Sequence, residues 1–382
     1  MTITPFRVDV PDAVLDDLRA RLARIRWPDD PPGGGWDYGT EPNYLREMCE
    51  YWRTRYEWRR WEAKINAFPQ FTTTIDGANV HYLHVRSPEA NALPLIITHG
   101  WPGSIVEFLD IIGPLSDPRA HGGAAIDAFD VVCPSIPGYG FSGPTSDRGW
   151  DVRRVAAAFA ELMARLGYST YGAQGGDWGA SISRALGLLD APHVAGVHLN
   201  MLTSGASSDP ADLEQLTPVE RERLGDITRY MDDMSGYAKL QQTRPQTLAY
   251  GLADSPAFQL AWIAEKFREW TDCDGDPETA IARDVLITNT TVYWVTNTGG
   301  SSARLYYETA HAGRYGAGER VAVPVGAAVF PKEIVRPIRR FAERTHNIVQ
   351  WSEFDRGGHF AAMEQGPTLI DDVRAFFRKV RS

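Results

Sequence analysis

Cysteine is scarce: only Cys49, Cys133 and Cys273 occur in 382 residues. The number is odd and no CxxC spacing is present, which excludes a disulfide-stapled fold. It predicts reduced, mostly buried thiols in a cytoplasmic protein. Long apolar runs are missing too. The longest, Leu93–Thr98 and residues 321–330, fall far short of the ~18–20 residues that span a bilayer. The N-terminus carries neither a basic segment nor an apolar one, so neither a signal peptide nor a membrane anchor is expected. Charge of one sign is not concentrated anywhere. Lys and Arg number 39 against 49 Asp and Glu, a net −10, and the two signs are interspersed. Nothing therefore calls for nucleic acid or an anionic lipid surface as a partner. No internal repeat, low-complexity tract, metal-ligand cluster or cofactor motif is visible, so neither cofactor nor metal is expected.

What is present is an ordinary globular composition, 43% hydrophobic and 23% charged. The length fits two units, or one large α/β domain carrying an insertion. Residues 4–27 read as a lead-in followed by an amphipathic helix. Val14, Leu15, Leu18, Leu22 and Ile25 recur at helical spacing, Asp12 is the expected N-cap, and Pro28 the expected stop. The aromatics that follow (Trp36, Tyr38, Tyr44, Tyr51, Trp52, Tyr56, Trp58 and Trp61) read as packing, gluing a short arm to a larger body. A hairpin is expected at Asp76-Gly77. Short apolar strands then alternate with helical stretches, the signature of βαβ units and a mostly parallel sheet. Strand signals fade over about 200–320 and return afterwards. The expected division is a wrapping extension over 1–72, a core over 73–200 and 321–382, and a mainly helical cap inserted over 201–320.

Three segments carry chemistry. Gly175-Gly176-Asp177-Trp178-Gly179 lies between an expected strand and an expected helix, the setting of a nucleophile elbow with Asp in place of Ser. A carboxylate there can attack a saturated electrophilic carbon and form an ester that water cleaves. The competing reading makes Asp177 a helix N-cap. The loop His99-Gly100-Trp101-Pro102-Gly103-Ser104 follows a strand. In an α/β-hydrolase elbow fold it supplies one oxyanion N–H, here from Trp101, with the second from Trp178. His99 is expected to serve the backbone, and Pro102 to follow a cis bond. Near the C-terminus Arg356-Gly357-Gly358-His359 places a late histidine in glycine context. This gives the chain order nucleophile, acid, base, in which His359 activates water. Its acid should follow the preceding strand. Glu333 fits, but it equally fits the first turn of a helix behind Pro331, and Glu353 and Asp355 are further candidates. Trp101, Trp178 and Trp294 suggest an apolar pocket, though core packing accounts for any one of them as well.

Taken together, LPLIITHGWPGS, PSIPGYGFS, QGGDWGA, FPKE, RGGHFAA and the opening PFRVDVPDAVLDDLRARLARIRWPDD make the chain resemble bacterial epoxide hydrolases of the microsomal and juvenile-hormone type. The resemblance implies an α/β-hydrolase fold with an epoxide-hydrolase N-terminal extension, Asp177 as nucleophile, His359 as base and Glu333 as its acid. It further implies two cap tyrosines that activate the epoxide oxygen. These map onto Tyr237 and Tyr306, with Tyr307 as a close competitor for Tyr306. The implied partners are a lipophilic epoxide and water, with a homodimer compatible, in detoxification or secondary metabolism. Two other readings stand beside it. A haloalkane dehalogenase would use the same Asp–His logic, and a non-catalytic binding protein would keep only the fold and an apolar pocket.

Overall fold

A computed structural model describes residues 2–203, 207, 209–313 and 318–381. Residues 204–206, 208 and 314–317 of the expected cap, and the two terminal residues, lie outside the described residues. Among the described residues one nine-stranded sheet forms from β1 (Thr4–Phe6), β2 (Gln70–Ile75), β3 (Ala78–Val85), β4 (Leu93–Thr98), β5 (Phe129–Pro134), β6 (Tyr171–Gly175), β7 (Val194–Leu199), β8 (Val321–Val329) and β9 (His346–Glu353). Its order is β1-β2-β3-β5-β4-β6-β7-β8-β9. The first three strands and β5 are joined antiparallel, and β5 through β9 run parallel. The α/β-hydrolase fold follows from this sheet and the helices flanking it.

The hairpin turn is Asp76 and Gly77, with φ 48° and 81°, the two left-handed residues that a type I′ turn requires. The buried strands β4 and β6 are apolar almost throughout, as helices covering both faces of a parallel sheet demand. The chain leaves β4 toward β5 on one side and then passes to β6 on the other. The carboxyl ends of β4 and β6 therefore frame the crevice where open α/β sheets bind ligands.

The first helix differs from its expected form. It spans Asp12–Leu22, its N-cap is Pro11, and it ends well before Pro28. Asp12 stands in the first turn and pairs with Arg59 at 2.5 Å. The lead-in is an edge strand, β1. With three residues, one of them Pro5, it leaves no alternation to read, and an edge position tolerates the missing N–H.

The aromatic-rich helices Pro42–Thr54 and Trp58–Ile65 bury Trp52, Trp58 and Trp61. Tyr38 does not pack; it is 80% exposed. These helices are tied to a later one, Arg283–Val295, through Tyr51 Oη, which donates to Asp284 at 2.5 Å, and through Tyr56 Oη, 2.8 Å from Thr288. Between β7 and β8 the described residues form helices and turns only. No helix among the described residues is long and apolar enough to cross a membrane.

Glu62 knots the N-terminal segment together. Its carboxylate accepts from the Val10 amide at 2.8 Å and from Trp58 Nε1 at 3.1 Å. Glu62→Ala strands that buried amide, and a loss of about 1–3 kcal/mol is expected. Urea unfolding of the two proteins checks it; an unchanged midpoint would show the contact to be dispensable.

Candidate active site

The turn after β6 is forced. Asp177 opens the helix Asp177–Leu189 with a left-handed φ of 49°, a conformation that costs a non-glycine residue about 1–3 kcal/mol. Crowding imposes it. A Cβ on Gly179 would sit 1.9 Å from the Thr98 carbonyl oxygen, and one on Gly100 would sit 2.2 Å from Asp177 Oδ1. The N-cap position belongs to Gly176, so the N-cap reading of Asp177 is set aside. Instead the carboxylate turns toward the loop after β4, where Oδ1 accepts from the Trp101 amide at 2.7 Å. The Trp178 amide lies in the first helical turn, where N–H groups fall outside the helix ladder.

That loop is held from outside the sheet. Its Trp101–Pro102 peptide is cis. Ser104 Oγ donates to Asn289 at 2.7 Å, Asn289 Nδ2 donates to the Pro102 carbonyl at 2.7 Å, and Tyr293 Oη to the Gly103 carbonyl at 2.6 Å. His99 is buried, bonded to the Gly100 carbonyl and the Ile136 amide. Burial lowers it to about 4, so it is a neutral imidazole serving the backbone.

His359 completes a line of three groups. Its Nδ1 is 2.5 Å from Glu333 Oε1, and its Nε2 is 3.5 Å from Asp177 Oδ2. Both His359 and Glu333 are 4% exposed. Glu333 follows β8 in an irregular segment, and the next helix begins only at Arg339, so its helix-terminus reading falls. Glu353 is bonded to Arg223 and Trp351 instead, and Asp355 is exposed. Burial alone would lower the imidazole, but the adjoining Glu333 and Asp177 carboxylates outweigh it and hold the pKa well above the ordinary value. The His359 amide donates to the Trp270 carbonyl at 2.8 Å, and the Trp270 ring stands edge-on to the imidazole.

Across from the carboxylate lie two buried phenols. The Tyr237 ring stacks on Trp101 at 5.0 Å, and Tyr306 meets Trp178 edge-on at 4.6 Å. Burial pushes both phenols well above their usual pKa, which keeps their protons on. Asp177, Trp178, Tyr237 and Tyr306 line one cavity of roughly 740 Å³, part of it open to solvent. Apolar walls come from Met201, Ile334 and Val335. Tyr307 is 37% exposed and stacks on His311, so Tyr306 faces the carboxylate.

Trp294 does not belong here. Its ring carries the Arg21 guanidinium at 5.8 Å and is not part of the cavity lining; an indole on a packed helix gives the same sequence signal wherever it points. Sequence reasoning passed over four residues of the site: Tyr230, Lys266, Trp270 and Glu107. Tyr230 lines the cavity, and the Lys266 ammonium lies 4.9 Å over the Tyr237 ring. None of the four sits in a recognisable motif.

A carboxylate on a strained strand-to-helix elbow, at the carboxyl edge of a parallel sheet and with an imidazole–carboxylate pair behind it, is an arrangement of the α/β-hydrolase class. Comparison with known proteins narrows the class. The family described as "Epoxide hydrolase N terminus" matches residues 3–108, and the α/β hydrolase fold family matches 94–232. A Stigmatella aurantiaca protein, provisionally named an epoxide hydrolase, is 48% identical over 100% of this chain and 86% of its own. Epoxide hydrolase 1 of Oryctolagus cuniculus is 35% identical over 98% of this chain and 88% of its own. The crystal structure of juvenile hormone epoxide hydrolase from Bombyx mori superposes with a TM-score of 0.91 at 30% identity, covering 100% of this chain and 95% of that one. The chain belongs to the epoxide hydrolases of the α/β-hydrolase fold.

Glu107 lies close beneath this site. Its Oε1 fills the space where a Cβ on Gly103 would be, 1.5 Å away. Desolvation raises the carboxyl to about 8, with His359 opposing and Asp177 adding to the rise. A carboxyl raised above its unfolded value of 4.5 lends stability fully below that pH and loses it as pH climbs toward 8. Glu107→Gln is therefore expected to flatten the fall in unfolding free energy between those pH values. Denaturant titrations at both ends test this, and parallel pH dependence in the two proteins would contradict it.

Proposed function

We propose that the protein hydrolyses a lipophilic epoxide to a vicinal diol without a cofactor, through an ester on Asp177. The reading rests above all on two buried phenols facing the Asp177 carboxylate across one cavity. Asp177 Oδ2, the oxygen left free by Trp101, attacks an oxirane carbon from the side opposite the breaking C–O bond. The departing oxygen takes a proton from Tyr237 or Tyr306, donors that stabilise charge present only as the ring opens. Water then attacks the ester carbonyl while His359 Nε2 accepts its proton. The amides of Trp101 and Trp178 hold the resulting oxyanion. Its collapse leaves Asp177 as the free acid and releases the diol, whose oxygen regains a proton from His359. The Asp177 proton then passes to His359 and restores the carboxylate–imidazolium pair.

The electrostatics suit two successive steps. Before attack, two carboxylates flank His359 and favour the imidazolium. Ester formation removes the charge of Asp177, and with it one of the influences that raise the imidazole pKa, so the imidazolium gives its proton to solvent and the base is free when water must be activated. Glu333 fixes the tautomer that presents Nε2 to the water.

The same reading treats residues 201–320 as a cap that brings Tyr237 and Tyr306 over a core of 73–200 and 321–382, with 1–72 wrapped around both. In support, both tyrosines come from between β7 and β8, whereas Asp177, Glu333 and His359 follow β6, β8 and β9.

His359→Gln should slow ester cleavage about 10²–10⁴-fold and leave ester formation largely intact. Incubation with an aryl epoxide should then shift the intact mass by the mass of that epoxide. Asp177→Asn, verified by mass against reversion to Asp, should give neither adduct nor diol. Diol formation by the verified Asn variant would overturn the assignment.

A further inference from the structure

The phenol assigned to the epoxide oxygen has a hydroxyl partner of its own. Tyr230 Oη lies 3.1 Å from Tyr237 Oη. Tyr230 opens a π-helical turn, Tyr230–Met234, after the helix Pro218–Arg229, and it lines the same cavity. Such turns recur where a side chain must be re-aimed at a functional site. The two phenols differ in access to water: Tyr237 is 5% exposed, and Tyr230 is only partly buried.

A hydroxyl has one proton to give. When that of Tyr237 points at the epoxide oxygen, the Tyr237 oxygen must accept the bond it shares with Tyr230. Ring opening breaks the C–O bond and leaves its electron pair on oxygen. That oxygen takes the Tyr237 proton, and a phenolate remains. Ring opening precedes hydrolysis, and the proton that His359 later takes from water returns to the diol, so the phenolate needs its own supply. Resting on the role given to Tyr237 above, we propose that Tyr230 is its positioning and relay residue. Its O–H donates to the Tyr237 oxygen and aims the Tyr237 proton into the cavity. As ring opening proceeds it passes its own proton to the phenolate and takes a replacement from solvent at the cavity mouth, which balances the proton that the His359 imidazolium releases once Asp177 is esterified. Lys266 lies buried over the Tyr237 ring with its charge answered by Glu265 and Glu269.

The test is a double-mutant cycle on the full chain. Ester formation from styrene oxide is followed by tryptophan fluorescence in single turnovers, in H₂O and D₂O, for Tyr230→Phe, Tyr237→Phe and the double variant. Tyr230→Phe should slow ester formation about tenfold, change the solvent isotope effect and leave KM nearly untouched. With Tyr237 already replaced it should add nothing. Incorporating 3-fluorotyrosine at position 230 keeps ring and hydroxyl but alters acidity. It should change the rate when the Tyr237 hydroxyl is present and not when it is absent. A wild-type rate and isotope effect in Tyr230→Phe, or a loss that adds fully to that of Tyr237→Phe, overturns the relay alone. An unimpaired Tyr237→Phe overturns the role of Tyr237 beneath it and the relay with it.

Discussion

One hydrogen bond sets the geometry of everything else at the site: the Trp101 amide on Asp177 Oδ1, 2.7 Å long. It singles out one carboxylate oxygen as the anchored one and leaves the other toward the imidazole and the cavity. It exists because the backbone of Asp177 is held in a left-handed turn that no N-cap aspartate adopts. That turn persists because β4 and β6 approach so closely that positions 100 and 179 have no room for a Cβ. Sheet packing thus fixes a conformation that the isolated chain would reject, and the strain is carried by the parallel strands on either side.

In the proposed mechanism the electrostatics turn on loss of charge. The free site holds two carboxylates around one imidazole, all of them buried. An attack by one carboxylate that ends in a neutral ester changes the field at the imidazole without moving an atom of it. The phenols opposite are the complement. They are kept protonated by burial and, in the proposed mechanism, act when charge appears on the epoxide oxygen. In that mechanism acid and base differ both in residue type, phenol against imidazole, and in environment, which suits one pocket to both kinds of proton transfer.

Much of this was legible in the sequence, for reasons that differ from residue to residue. The elbow could be read because glycines two residues either side of an aspartate, between a strand and a helix, suit little besides a tight and crowded turn. His359 could be read because it follows a strand, in glycine context, in the order the fold requires; Glu333 was one of three candidate acids until the resemblance to a family singled it out. Tyr237 and Tyr306 could not be picked out of fifteen tyrosines by spacing; only the resemblance to a family located them. Tyr230 and Lys266 escaped because their relevance lies in contacts between helices distant from the elbow in sequence. Trp294 was misplaced because an indole packed under an arginine and an indole lining a pocket look the same in one dimension. The strand β1 was missed because three residues, one a proline, carry no period.

The helix Arg283–Val295 touches two things at once. On one side Asp284 and Thr288 take the hydroxyls of Tyr51 and Tyr56. On the other, Asn289 and Tyr293 grip the carbonyls of Pro102 and Gly103, next to the amide that anchors Asp177. The opening helices of the chain are therefore a buttress whose load ends on the loop that anchors Asp177. Loosening them would detune the carboxylate through rigid intermediaries, with no side chain at the reaction centre altered.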